Sequence, residues 1–360
     1  MKQVLTAAAA LAISSSTALA GGMERSTQSV GILFEEGTRA ELSFSTVSPS
    51  VSGTSNPPFA AASSGDMAPN YQNYSFGYKQ DIGENLDVAI ILDQPVGANV
   101  AYPGTGADPY PFSGSTAVVD STAVTGLVRY KFPSNYSVYG GVRVQSLSGD
   151  LNLIGSGLVA ALNYSLSVSS DVQYGYVVGA AYERPDIALR VALTYNSEIT
   201  HTFSDNGGTP FDVTIPQSVN LEFQSGVAKD TLVFGSVRWV EWTAFQINPL
   251  DFFAIAGGPI ADGKSNTTSY TLGLGRRFSE RWSGAVVLGY EANSGLSQGN
   301  LQPVDGYKSI GLAATYKVDN VEITGGVRYI DIGDTTTTTI GSNFADNDAI
   351  GVGVKVGVTF

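Results

Sequence analysis

The chain has 360 residues, of which 43% are hydrophobic and only 14% are charged, and its net charge is -13 at pH 7. It contains one histidine and no cysteine, which excludes a disulfide scaffold, a thiol nucleophile and a cysteine-ligated metal. A single histidine leaves little room for a histidine metal site or a Ser-His-Asp triad. The acidic balance disfavours a nucleic-acid partner, and no apolar run after residue 20 has the roughly 20 residues of a membrane helix. We therefore predict neither an enzyme nor a helical membrane protein, and no cofactor or metal.

The N-terminus has the features of an exported protein. Lys2 gives a short positive region, residues 4–13 are apolar, and Ala18, Leu19 and Ala20 form an A-x-A cleavage signature. A buried alanine-rich helix is the alternative, but the order of charge, apolar core and small residues favours export. We predict a signal peptide over residues 1–20.

Most of the remaining chain alternates apolar and polar residues with a period of two, which is typical of a strand with one apolar and one polar face. Over 350–360, one face holds an isoleucine, four valines and Phe360, while the other holds glycines, Lys355 and Thr359. This alternation, with the turn residues that interrupt it, predicts fourteen strands, at 39–53, 70–82, 85–102, 115–132, 135–150, 170–184, 186–201, 210–227, 230–246, 267–279, 281–293, 306–318, 320–333 and 347–360.

The connections between these strands alternate in length. Six are short turns and seven are long loops, at 54–69, 103–114, 151–169, 202–209, 247–266, 294–305 and 334–346. Outer-membrane barrels have short periplasmic turns and longer extracellular loops, whereas nothing in a soluble β-sandwich would sort its connections in this way. We predict an all-β fold, a 14-stranded antiparallel transmembrane β-barrel over 39–360, with both termini in the periplasm of a Gram-negative cell.

A family resemblance rests on three groups of residues and on their order. They are the non-strand segment 22–37; ALTYNSE at 192–198 with IPQS at 215–218 and WVEW at 239–242; and YTLGLG at 270–275 with Trp282 and Tyr290. Together they resemble the FadL family of outer-membrane transporters for long-chain fatty acids and other hydrophobic compounds. The resemblance implies a passive channel for such cargo in which residues 21–38 form a small plug (hatch). The family's plug often carries an Asn-Pro-Ala motif, which this segment lacks.

The third predicted strand is interrupted near its middle. Pro95 removes a backbone donor and Gly97 permits a bulge or kink, so the residues alone indicate a local bulge. In the FadL family a kink in the third strand is thought to open the barrel wall sideways. The resemblance therefore implies a lateral opening at Gln94, Pro95, Val96, Gly97 and Ala98.

The polar face of the strands is rich in basic residues. Arg143, Arg238 and Arg328 each lie about eight residues into an ascending strand, which places them roughly 20 Å above the periplasmic turns. A guanidinium at this depth could pair with the carboxylate of a cargo molecule. The alternative is an Arg–Glu network that fills the lumen. We predict that these three arginines face the lumen and bind an anionic head group.

Two of the long loops are apolar where a soluble loop would be polar. We predict that Leu158 and Leu162 in loop 151–169, with Phe252 and Phe253 in loop 247–266, form a hydrophobic binding site, or that the two loops pack together and cap the barrel. His201 has the alternation of a lipid-facing residue, which makes it a poor catalytic base.

A general diffusion porin shares the predicted barrel but has little use for a plug, and a structural or adhesive barrel predicts no uptake. We therefore favour a transport channel, and we predict that the protein is a monomer. We also predict that it contacts outer-membrane lipid and lipopolysaccharide and is inserted by the barrel assembly machinery.

Overall fold

The computed structural model describes residues 23–104 and 110–360. The predicted signal peptide and the first two residues of the predicted plug lie outside the described residues. The described part of the chain forms one antiparallel barrel of fourteen strands. The strands are β1 (Arg39–Ser50), β2 (Tyr71–Ile82), β3 (Leu86–Asp93 and Gly97–Ala101), β4 (Thr116–Lys131), β5 (Tyr136–Leu153), β6 (Tyr164–Arg184), β7 (Leu189–Asn196), β8 (Ser218–Ala228), β9 (Thr231–Val240), β10 (Thr267–Arg277), β11 (Trp282–Glu291), β12 (Tyr307–Val318), β13 (Val321–Ile332) and β14 (Asn347–Thr359).

The barrel closes because its first and last strands pair. β1 runs antiparallel to β14, from Arg39 opposite Thr359 to Ser50 opposite Asp348, and every other strand pairs with its neighbours in the chain. Closure removes the unpaired edges that lipid cannot hydrogen-bond. The predicted fold, a 14-stranded antiparallel barrel, is confirmed.

The connections contain further short elements. One is a hairpin of Ile199–Ser204 paired with Pro210–Ile215, which we call the inner hairpin. The others are the helix α1 (Leu250–Ala256), 3-10 turns at Gly31–Phe34, Gly157–Leu162, Pro185–Ile187 and Trp242–Ala244, and two-residue strands at Gly53–Thr54, Gln246–Ile247, Ala261–Asp262, Thr335–Thr336 and Asn343–Phe344. No helix in the described residues is long and apolar enough to cross a membrane.

Strand alternation sorts the side chains between lipid and lumen. In β14, Ile350 and Val352 are each 50% exposed, whereas Lys355 is 3% exposed. The same parity leaves large apolar side chains exposed around the outer wall and buries charged ones inside the barrel. An apolar outer surface with a polar interior is what a barrel in lipid requires.

The short turns at one end fix the strand register. Two of them, at 229–230 and 319–320, contain an aspartate with positive φ, Asp230 at 58° and Asp319 at 52°. Aspartate tolerates this left-handed conformation better than most residues. The six short turns and the seven long loops occur in the predicted alternation.

The structure corrects the bounds of four strands and the position of one side chain. The strand predicted at 170–184 begins earlier, at Tyr164, and the strand predicted at 230–246 ends earlier, at Val240. The sequence predicts wall strands over 186–201 and 210–227. In the structure the first of these strands ends at Asn196 and the second begins at Ser218, and the inner hairpin lies between them. The hairpin keeps the same period-two alternation, so the pattern could not show where the wall ends. For the same reason the predicted lipid-facing position of His201 is wrong, because the hairpin folds inward and buries this side chain completely.

Candidate functional site

The wall has a gap beside β3, which is interrupted after Asp93. The first segment of β3 pairs with both β2 and β4, but Gly97–Ala101 pairs with β4 alone. The ladder between β2 and β3 ends at Phe76 and Leu92. Residues 71–75 of β2 therefore have no ladder partner on the β3 side.

A side chain partly closes this gap. Gln94 Oε1 accepts a hydrogen bond of 3.0 Å from the backbone N–H of Tyr74, in place of a ladder bond. On the other edge, the Val96 backbone N–H donates to Ser121 Oγ of β4 at 3.0 Å. The break is thus fastened firmly to β4 and through one amide side chain to β2.

The N-terminal segment, residues 23–38, lies inside the barrel and docks on this break. Glu24 bridges Val96 in an antiparallel manner, and Ser26 Oγ donates to Asp93 Oδ2 at 2.6 Å. Further bonds run from Arg25 N to Pro95 O at 3.0 Å, from Gly97 N to Met23 O at 2.9 Å, and from Arg25 Nε to Gly97 O at 3.1 Å. Any movement of the segment must therefore disturb the edge of the gap.

The other end of the segment is anchored near the short turns. The guanidinium groups of Arg129 and Arg190 lie over the Phe34 ring, 4.4 and 4.8 Å from its centroid, and the Tyr139 ring meets it edge-on at 5.8 Å. Gly77 of β2 makes room for the segment, because a Cβ there would lie 2.6 Å from Ile32 Cδ1.

Glu24 also ties the segment to the opposite wall. Its Oε1 accepts a hydrogen bond of 2.5 Å from Arg238 Nε, and both side chains are buried. Arg238 Nη1 donates in addition to Ser218 Oγ at 3.0 Å and to Asn220 Oδ1 at 2.6 Å. The guanidinium is consequently oriented by β8 as well as by the segment.

A polar cavity of about 160 Å³ lies in the lumen beside the segment. Its lining includes Arg25, Asp93, Arg190, Glu222, Arg238 and Lys355. It also includes Tyr74 and Phe76, which face outward and are 45% and 41% exposed. Inward-facing and outward-facing residues of β2 therefore both border this cavity, which lies beside the gap.

An apolar cavity of about 90 Å³ lies on the loop side of the segment. It is lined mainly by apolar side chains from the segment, β3 to β6, the inner hairpin and the long loops, among them Met23, Ala98, Phe203, Phe211, Phe245 and Leu301. Met23 lines this cavity and Arg25 lines the polar one, so the segment separates the two. A third cavity of about 60 Å³ shares Ala98 and Val100 with the apolar cavity and Arg25 with the polar one, so the three cavities adjoin one another beside the break.

The inner hairpin roofs the apolar cavity with Phe203, Phe211 and Val213. His201 on the same face is fully buried, and its Nδ1 lies 3.1 Å from Asp171 Oδ2 of β6. Burial lowers the pKa of His201 below its usual value, against the opposing effect of Asp171. The imidazole is therefore neutral at pH 7 and fixes the hairpin to β6.

The three predicted arginines are all buried inside the barrel, but they have different partners. Arg238 binds Glu24 and lines the polar cavity. Arg143 Nε donates to Thr125 Oγ1 at 2.9 Å, and Arg328 Nε donates to Ser309 Oγ at 3.0 Å. Arg143 and Arg328 do not line the described cavities.

The two predicted apolar loops meet each other above the barrel. Phe252 of α1 is buried against the Tyr164 ring, with centroids 5.0 Å apart. Leu158 and Phe253 are 70% and 45% exposed, and Leu162 is half-buried. The described cavities are lined by other residues, so the role of these four side chains as a binding site stays a prediction.

Sequence reasoning missed most of the residues that line the apolar cavity, although it singled out Ala98. Phe203 and Phe211 flank residues 205–209, which contain the Asn206-Gly207-Gly208 turn signal, and such a signal between alternating apolar residues predicts a hairpin. Met23, Phe245 and Leu301 lie in irregular segments that no local pattern singles out. The described residues contain no group of three or more His, Asp or Glu side chains that could hold a metal.

No protein-family model and no curated protein matches the sequence. Solved structures do match. A FadL homologue of Pseudomonas aeruginosa is 13% identical, with a TM-score of 0.71 and 92% of each chain covered. The Pseudomonas putida toluene transporter TodX is 13% identical, with a TM-score of 0.66 over 95% of this chain and 98% of TodX. The Ralstonia pickettii toluene transporter TbuX is 14% identical, with a TM-score of 0.60 over 91% and 90%. The chain therefore has the fold of the FadL-type channels.

Proposed function

We propose that this protein is a passive outer-membrane channel for hydrophobic compounds, and that it releases them sideways into the bilayer. The observation that carries the proposal is that three adjoining cavities lie between the long loops and the gap between β2 and β3, with Ala98 and Arg25 in their shared walls. Cargo enters from the long loops, rests in the apolar cavity and leaves between Tyr74 and Gln94. The N-terminal segment acts as a plug against direct passage to the periplasm.

Energetics favour this direction of release. Each methylene group transferred from water to an apolar environment gains about 0.8 kcal/mol, so hydrophobic cargo gains nothing from entering an aqueous periplasm. A gap in the lipid-facing wall lets cargo partition into the bilayer without desorbing into water. The downhill partitioning needs no cofactor and no catalytic group.

The cargo class follows from the polarity of the two cavities. The apolar cavity suits a small ring or part of an acyl chain, and structures with the same fold include transporters described as carrying toluene. The arginine-containing polar cavity suits the head group of an amphiphile. We infer that long-chain fatty acids are carried, with neutral hydrophobic compounds using the same path without contacting Arg238.

A reversible crosslink across the gap tests the lateral route. Tyr74→Cys with Gln94→Cys, joined by a short thiol crosslinker that a reductant cleaves, should abolish uptake of labelled laurate and of labelled toluene in intact cells. Reduction should restore uptake in the same cells. The chain has no other cysteine, so the crosslink is specific.

The matched control joins the same strands where they are already paired. Tyr78 lies opposite Ile90 in the ladder between β2 and β3, so a Tyr78→Cys, Ile90→Cys crosslink should leave uptake unchanged. Full uptake with the Tyr74–Gln94 crosslink formed would exclude the lateral route. Equal uptake in cells with and without the protein would exclude the channel function itself.

A further inference from the structure

Two polar side chains, one on each edge of the gap, line the polar cavity with atoms that are buried. On β2, the Nδ2 atom of Asn73 is buried and has no hydrogen-bond partner among the described residues. On β3, Asp93 is 5% exposed, and its Oδ1 atom has no hydrogen-bond partner in the described part of the chain either. Because most buried polar side-chain atoms in proteins are hydrogen-bonded, this donor and this acceptor are positioned for a molecule in the cavity.

The strands bring the two side chains to the same face of the wall. The ladder between β2 and β3 ends with Phe76 opposite Leu92. Its register, continued by one step, would place Asp93 opposite Ser75 and make Asn73 the diagonal neighbour of Asp93 on the lumen side. Diagonal neighbours in a sheet lie about 7–8 Å apart, which leaves room for one oxygen atom between the ends of two short side chains.

Both residues are held from outside the gap. Asn73 pairs with Ser45 of β1, and Asp93 pairs with Ala123 of β4. Asp93 Oδ2 accepts a hydrogen bond of 2.6 Å from Ser26 Oγ, which fixes the carboxylate and leaves Oδ1 as its second acceptor. Groups that are oriented before a ligand arrives lose little conformational entropy when they bind it.

A hydroxyl group matches this donor and acceptor. It can donate its hydrogen to Asp93 Oδ1 and accept a hydrogen bond from Asn73 Nδ2, whereas an ether can only accept and a hydrocarbon can do neither. The buried guanidinium of Arg143 interacts electrostatically with Asp93, so the carboxylate already has a counter-charge within the protein. A neutral ligand therefore suits the site better than an ammonium group, and a ligand carboxylate would be repelled by Asp93.

We propose that Asn73 and Asp93 form a binding site for the hydroxyl group of neutral hydrophobic cargo, of the class of phenols and long-chain alcohols, at the exit from the lumen. This inference rests on the proposed function, because it assumes that cargo reaches the polar cavity. The apolar cavity contacts cargo mainly with apolar side chains, so it selects by size and shape. The Asn73–Asp93 site adds a preference for compounds that carry a hydroxyl group.

Three small ring compounds of similar shape test the site. They are p-cresol, p-xylene, which has a methyl group in place of the hydroxyl, and 4-methylanisole, whose oxygen accepts but does not donate. Binding of the labelled compounds to the purified protein in nanodiscs is measured by equilibrium dialysis, with empty nanodiscs as the blank. Each compound is compared with itself between wild type and variant, so differences in hydration between the compounds cancel.

Two substitutions remove the two halves of the site. Asp93→Asn keeps an oxygen for Ser26 and removes the charged acceptor, so it should weaken p-cresol binding by about fivefold or more. It should tighten 4-methylanisole binding, because the ether oxygen then meets an amide donor. Asn73→Leu has a similar volume and no donor, and it should weaken binding of p-cresol and of 4-methylanisole by about fivefold. Binding of p-xylene should not change in either variant, which also shows that the variant is folded.

The matched control removes a buried charge elsewhere in the lumen. Glu322 pairs with Arg39 near the short turns, and it does not line the described cavities. Glu322→Gln should therefore leave the binding of all three compounds as in wild type.

The outcomes separate this inference from the proposed function. Equal losses of p-cresol and p-xylene binding in Asp93→Asn and Asn73→Leu would make the two residues structural and refute the hydroxyl site. Unchanged p-cresol binding in both variants would mean that only water bonds to these atoms, which refutes the site as well and leaves the channel function intact. If the wild-type protein bound none of the three compounds, the proposed function would fail and this inference with it.

Either variant alone can decide the question. If Asp93→Asn does not fold, the loss of p-cresol binding in Asn73→Leu at constant p-xylene binding supports the site, and the absence of that loss refutes it.

Discussion

The bond between Gln94 and Tyr74 offers a direct way to measure how firmly the gap is closed. Gln94→Ala removes the acceptor of the Tyr74 backbone N–H, which has no ladder partner on that side. The net contribution of such a hydrogen bond is about 1 kcal/mol, which corresponds to roughly a fivefold change in an equilibrium constant. Where water cannot replace the lost acceptor, the cost rises to about 1–3 kcal/mol.

Amide hydrogen exchange in nanodiscs reports this effect at single residues. The Tyr74 amide should exchange about five times faster in Gln94→Ala than in wild type. Asn73 and Ser75 pair with Ser45 and Ser43 of β1, and neighbouring amides of a strand point to opposite sides, so these two amides should not change. Gln94→Glu keeps an acceptor at the same distance and should leave the Tyr74 amide protected.

If cargo leaves through the gap, the rate of cargo release should rise together with the rate of amide exchange at Tyr74. Gln94→Ala should speed the release of labelled laurate into the bilayer, whereas Gln94→Glu should behave as wild type. An unchanged exchange rate for Tyr74 in Gln94→Ala would show that this side chain does not close the gap. Faster exchange without faster release would place the rate-limiting step elsewhere on the path.

Three further predictions concern the segment and the hairpin. Gly77→Val places a side chain where Ile32 Cδ1 now lies, so it should raise conductance in planar bilayers, and adding Ile32→Ala should reverse the increase. Phe34→Ala removes contacts with two guanidinium groups and one ring, worth about 2 kcal/mol together, so protease should cut the N-terminal segment faster, with Phe34→Tyr as the control. Burial lowers the pKa of His201, so docking of the inner hairpin is favoured above the ordinary histidine pKa of about 6.5 and weakens as pH falls through the lowered value. Because only the thiolate reacts with maleimide, the rate for a cysteine in place of Val213 must be divided by the rate for a small free thiol at the same pH. This relative rate should be higher at pH 5 than at pH 8, and His201→Phe should remove the difference.

The barrel could be predicted from the sequence because its signals are local. Period-two alternation and turn length are properties of neighbouring residues, and the pair Pro95 and Gly97 marks the break in the same way. The inner hairpin was missed because its alternation continues that of β7 across only two residues, 197–198. The pairing of Glu24 with Arg238 joins residues 214 apart in the chain, and no local pattern carries such a contact. The parity of Arg238 indicated its side of the wall but not its partner.

The order of the two cavities along the path explains why a side exit suits apolar cargo better than a straight one. A twelve-carbon chain that left the apolar cavity for water would lose about 9 kcal/mol, at about 0.8 kcal/mol for each of eleven carbons. Passage through the polar cavity towards the short turns exposes the chain to this loss, because charged and hydroxyl side chains line that space. In the proposed route the chain leaves between Tyr74 and Gln94 into lipid instead, where this loss is avoided. A carboxylate can remain beside Arg238 while its tail passes through the gap, so the head group stays paired until the tail is already in the bilayer.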